Sequence, residues 1–117
     1  MKEDRVGKTR VLVFIDWYLP GYKAGGPIQS VVNLVSQLKG TINFSIVTSD
    51  SDFGDAEPYP FIQSDHWIKE DKQVQIQYLS KKNQSLRGLK QIIDPNEYDY
   101  IYLNSVFSYK FSILPLL

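Results

Sequence analysis

Residues Asp16 to Pro27, DWYLPGYKAGGP, lie between an apolar run and an amphipathic stretch. The pair Gly25-Gly26 just ahead of a helix start lets main-chain N–H groups approach a ligand closely. The positive end of the helix dipole then favours an anion such as a phosphate. Lys23 adjoins the pair and adds a cation, and Trp17, Tyr18 and Tyr22 supply rings able to stack on a sugar or to cap a sheet edge. This spacing is not the G-x-G-x-x-G of dinucleotide sites, because the turn is too long. Asp50, placed at the end of a second apolar run, keeps a ribose-binding acid and hence a nucleotide-cofactor oxidoreductase open as an alternative.

The other chemistry-bearing residues are less pointed. Asp50-Ser51-Asp52 pairs carboxylates in the manner of a Mg²⁺ or Mn²⁺ site. It fails the calcium-loop template, since glycine comes one position early and Phe61 stands where a glutamate is required. Solvated loop acids are the expectation, and no metal is assigned. His66 is the sole histidine and has no Gly-x-Ser-x-Gly partner motif, which argues against a hydrolase triad. Lys81, Lys82, Arg87 and Lys90 read as the exposed side of a helix.

These groups need elements to position them. Val11 to Ile15 is apolar on both faces, as in a buried parallel strand. A helix follows, with Gly26 as N-cap, Pro27 in its first turn and Ile28, Val31, Val32, Leu34, Val35 and Leu38 at helical spacing. Gly40 is expected to end it in the left-handed conformation. Phe44 to Thr48 is a second strand, residues 50–73 a long polar loop, and Val74 to Leu79 a third strand. Leu86, Leu89, Ile92 and Ile93 mark a second helix stopped by Asp94-Pro95. Tyr100 to Leu103 is a fourth strand, ending in Asn104-Ser105, and a third helix is expected from Phe107 to Leu117.

Strands alternating with helices predict an α/β domain with a Rossmann-like, doubly wound, mainly parallel sheet of at least four strands. In such sheets ligands bind beyond the carboxyl ends of the strands, where Asp16, Ser49-Asp50 and Asn104-Ser105 are expected to meet the glycine turn. The apolar finish, Phe111 to Leu117, predicts that residues 1–117 are the first part of a longer domain, or else a surface for self-association.

Composition sets the class. The chain has 117 residues, of which 43% are hydrophobic and 14% aromatic, which suits a packed body of one domain's length. Thirteen Lys and Arg against thirteen Asp and Glu leave no net field for nucleic acid. Cysteine is absent, excluding disulfides and thiolate metal sites, and the expected location is cytoplasmic. The polar start MKEDRVGKTR has no signal-peptide character.

The segment VLVFIDWYLPGYKAGGPIQSVVNL resembles the N-terminal start of group 1 (family 4) retaining glycosyltransferases, with their strand, P-x-x-G-G type loop and helix. IVTSDSD and YLNSVFSYKFSILPL are similar to that family's second and fourth strand regions. The resemblance implies the N-terminal, acceptor-side half of a two-domain GT-B architecture, with catalysis in the cleft between domains. It implies a nucleotide-sugar donor as co-substrate, a hydroxyl acceptor, no further cofactor, and work in glycan or polysaccharide synthesis, with contact at the inner face of a membrane left open. It places Gly25 and Gly26 near the donor phosphates; Lys23, Tyr22, Asp50 and Ser105, at the glycine turn and the strand ends, are the further candidates for contact with phosphate or substrate. Asn104 stands where many members carry a histidine. An asparagine can orient a sugar through hydrogen bonds but cannot act as an acid or base near neutral pH.

Overall fold

A computed structural model describes residues 8–84 and 94–104. The expected helices over Leu86–Ile93 and Phe107–Leu117, and Ser105, lie outside the described residues.

β1 (Thr9–Phe14), α1 (Gly26–Leu38), β2 (Ile42–Ser49), β3 (Trp67–Asp71), β4 (Val74–Leu79) and β5 (Tyr100–Leu103) build one five-stranded sheet in the order β3-β4-β2-β1-β5. β1 pairs in parallel with β2 and β5, and β2 with β4. Only β3 is antiparallel, on β4. Taken in chain order, the four parallel strands run 3-2-1-4, the arrangement of a Rossmann-like α/β fold. The order reverses between β1 and β5, so the crevice expected of such sheets opens beyond Phe14 and Leu103, which are paired in register.

Burial explains why β1 and β2 read as continuous apolar runs. Leu12, Val13 and Phe14 are fully buried although successive side chains point to opposite faces. On one face Ile28, Val31 and Val35 of α1 cover Val13, Ile15, Phe44, Ile46, Val74 and Ile76. On the other, Leu12, Phe14, Val47 and Leu79 cluster with Tyr98 and Leu103.

Three expectations are corrected. The segment 50–73 is not loop throughout, because Trp67–Asp71 forms β3, bulged between Lys69 and Asp71. An edge strand is held by main-chain bonds to one neighbour, so Lys69-Glu70-Asp71 can be polar and keep other edges away. The N-cap is Gly25, at φ 74°, rather than Gly26. The helix also ends without a left-handed Gly40: the cap is Lys39 in right-handed geometry, its N–H donating to the Val35 carbonyl. The Thr41 N–H and hydroxyl both donate to the Leu38 carbonyl, which satisfies the end of the helix by another route. No helix among the described residues is long and apolar enough to cross a membrane.

Candidate functional site at the carboxyl ends of the strands

Two loops leave the carboxyl ends of β1 and β2 side by side. Residues 15–25 lead to α1, and residues 50–66 lead to β3. Their start is fixed by the sheet: the Ile15 N–H donates to the Val47 carbonyl at 3.1 Å and the Ser49 N–H to the Asp16 carbonyl at 3.2 Å. Beyond that the β1–β2 ladder stops, and side chains join scattered main-chain bonds such as the Tyr59 N–H to the Asp50 carbonyl at 2.7 Å.

Asp52 makes the central connection. Its carboxylate accepts from the Tyr22 N–H at 3.1 Å and, at longer range, from the Lys23 N–H at 3.3 Å, both across the gap between loops. It also accepts from the Phe53 N–H at 2.7 Å. Asp52 is 5% exposed, yet it lies under two thin loops rather than deep in the core. Burial pushes its carboxyl up, but the N–H groups of Tyr22, Phe53 and Lys23, with the Lys23 charge, outweigh that and hold it below the usual range. Asp50 is equally enclosed, accepting from the Ser64 hydroxyl at 2.7 Å. The two acids are therefore not the solvated loop acids expected. Main-chain and hydroxyl donors spread over three segments satisfy them.

Tyrosines anchor the same turn. The Tyr78 hydroxyl donates to the Leu19 carbonyl, and the Tyr59 hydroxyl to the Tyr18 carbonyl at 3.4 Å. Their rings meet edge to face, centroids 5.9 Å apart. Desolvation, with the charges of Asp52, Asp55 and Asp50, pushes the Tyr59 phenol up to about 12. Tyr18 is likewise pushed up to about 12, chiefly by burial and then by Glu70. Gly21 sits where these groups converge. Its N–H donates to the Tyr18 carbonyl, and a Cβ there would overlap the Tyr59 hydroxyl and come within 2.9 Å of Asp52 Oδ1 and 3.0 Å of the Tyr18 carbonyl. Only glycine fits that space.

The expected site residues divide accordingly. Tyr18 is buried in the core, and Trp17 packs edge-on against Phe53 at 4.8 Å, so neither ring is presented whole to a ligand. Tyr22 remains 74% exposed. Lys23 places its ammonium 2.7 Å from Asp55, an exposed pair that neutralises the cation sought for a phosphate. Gly25 and Gly26 form an open turn, with nothing within 4 Å of a Cβ at either position. The Gly25 N–H donates to the Tyr22 carbonyl, while those of Ile28 and Gln29 turn back to the Gly25 carbonyl. Pro27 has no N–H, so the Gly26 N–H is the donor at this helix start left without a partner among the described residues. An anion at the turn would meet one main-chain amide and the helix dipole.

Asn104 leaves β5 beside β1. Its N–H donates to the Phe14 carbonyl at 2.9 Å, and its amide nitrogen donates to the Tyr102 hydroxyl at 2.9 Å. It therefore stands at the strand-order reversal, but no hydrogen bond joins it to the glycine turn among the described residues. His66 is exposed at the start of β3, and no hydroxyl or carboxylate among the described residues bonds to it. No group of three or more His, Asp or Glu suited to a metal occurs among the described residues.

Sequence reasoning read Asp52 as a solvated loop acid and did not foresee the roles of Gly21 or the two anchoring tyrosines. Gly21 followed Pro20 like any turn glycine, and nothing local marked Tyr59 or Tyr78 as partners of residues some forty to sixty positions earlier. Comparison of the chain with protein-family models, curated proteins and solved structures returned no match.

Proposed function

We propose that this chain is the acceptor-side domain of a retaining sugar transferase, in which a glycosyl unit passes from a nucleotide sugar to a hydroxyl acceptor. The observation that carries the reading is the open Gly25-Gly26 turn at the carboxyl end of β1, beside the reversal of the 3-2-1-4 strand order. Ligands of parallel α/β sheets bind at that position. The resemblance of residues 11–34 to the start of the group 1 glycosyltransferases supplies the reaction class. In this proposal the Gly26 N–H faces an oxygen of the ligand, exposed Tyr22 offers a ring to a sugar face, and Asn104 orients a hydroxyl. A second domain holds the nucleotide, and no metal is required.

The competing nucleotide-cofactor reading needs Asp50 to reach a ribose. Asp50 is 7% exposed and already bonded to Ser64, which disfavours it.

The test is an amide-resolved NMR titration of the chain with a methyl glycoside, a nucleotide sugar and NAD in separate arms. The expected result is saturable shifts at Tyr22, Gly25, Gly26 and Asn104 with the glycoside, and no turnover of the nucleotide sugar by this chain alone. Silence of that rim toward both sugar ligands overturns the proposal, as does turnover by the isolated chain. Tight binding of NAD establishes the competing reading.

A further inference from the structure

We infer that Asp52 is the positioning residue of this rim, a resident anion that sets the shape of the turn ahead of α1. Its carboxylate holds the N–H groups of Tyr22 and Lys23, which lie thirty and twenty-nine residues earlier in the chain. No other side chain among the described residues bonds those two amides. Successive main-chain N–H groups converging on one carboxylate form the kind of concavity that elsewhere holds a free anion. Here the chain's own acid fills it. Gly21 confirms how close the fit is, since Asp52 Oδ1 and the Tyr59 hydroxyl leave no room for a methyl group. Two residues after Lys23, the chain turns through Gly25 at φ 74° and presents the Gly26 amide. The clasp thus dictates where that amide lies before any ligand arrives. The part Asp52 plays in ligand binding rests on the sugar-transfer reading, whereas its hold on the turn does not.

The Lys23 ammonium and the Tyr59 phenol face the carboxylate, and the Tyr59 phenol also feels the Asp55 and Asp50 carboxylates. Asp55 pairs with the Lys23 ammonium and Asp50 is tied to Ser64, so Asp55→Asn tests whether the response belongs to Asp52 itself.

The experiment follows the amide signals of Tyr22, Lys23, Phe53 and Gly26 in the whole chain without ligand. On acid titration the Tyr22, Lys23 and Phe53 signals should move together with one midpoint below the ordinary carboxylate range, and should do so unchanged in Asp55→Asn. In Asp52→Ala, amide exchange at Tyr22 and Lys23 should rise about tenfold or more, with Val13 and Ile46 unaffected. A tenfold change corresponds to roughly 1.4 kcal/mol of local opening. Added formate, a free carboxylate of the lost size, should restore the wild-type shifts, and Asp52→Asn should not, because its NH₂ confronts other donors. Separate midpoints in the wild-type chain, or unchanged exchange with no response to formate, overturn the inference. Should Asp52→Ala fail to fold, the wild-type titration alone decides. Ligand titration of Asp52→Asn then asks whether the glycoside shifts at Gly26 are lost, an outcome that bears on the sugar-transfer reading separately.

Discussion

The two ends of the sheet hold their loops by different physics. At the amino end, partly exposed acids combine ion pairs, Arg10 with Glu97 at 3.3 Å and Lys39 with Asp71 at 3.2 Å, with main-chain bonds from the Arg10 N–H to Asp99 at 2.9 Å and the Gln73 N–H to Asp71 at 2.8 Å. At the carboxyl end, Asp50 and Asp52 are excluded from water, and Asp52 takes its partners from the main chain. A pair of exposed side chains is screened and spends side-chain entropy, so it adds little. A sheltered carboxylate bonded to main-chain N–H groups constrains the backbone itself. The end whose acids are buried is also the one where Rossmann-like folds bind ligands.

This contrast breaks first at Gly21. Gly21→Ala forces a methyl group into Tyr59, Asp52 and the Tyr18 carbonyl, and overpacking of that kind costs about 1–3 kcal/mol. Urea denaturation should show the loss, with the Tyr22 amide displaced. Next comes Tyr78→Phe, which strips the donor from the Leu19 carbonyl and should cost about 1 kcal/mol in the same assay. Arg10→Ala should cost less than about 1 kcal/mol, because its partner is a half-exposed glutamate. An amino-end loss as large as that at Gly21 would remove the distinction between the ends.

Titration sharpens the comparison. The folded-state carboxyl of Asp52 lies below its ordinary 3.8, so its contribution is present above that pH and disappears as pH falls through the lower folded value. The Tyr59 phenol lies at about 12 against an ordinary 10.0, so its contribution is complete below pH 10.0 and is lost as pH rises toward 12. Loss of the Tyr22 and Lys23 amide shifts in acid should therefore precede loss of the core. At high pH, ionisation of the Tyr59 phenol should accompany release of the 16–25 loop. Acid or alkali that melts core and loop in one step would show that the clasp is not a local structure.

Much of the frame was legible in order. Val11–Ile15, Phe44–Thr48 and Val74–Leu79 are apolar enough to be recognised as strands flanked by burial, and Ile28, Val31 and Val35 mark the side of α1 that meets them. β3 was not legible, since Trp67-Ile-Lys-Glu-Asp71 has no alternation and its pairing partner, not its own side chains, makes it a strand. The glycine turn was legible as a place, but its donor count was not. Two of the amides near it bond to an acid about thirty residues away, and a third to the Tyr22 carbonyl.

Periodicity and apolar character by themselves determined the four parallel strands, the first helix and the α/β class, because burial of a face requires a pattern that any reader of the chain can see. Which carboxylate meets which amide, and why Gly21 admits no methyl group, were decided only when the sheet brought the ends of β1 and β2 together. Such contacts depend on positions in space, and separation along a chain carries no mark of them.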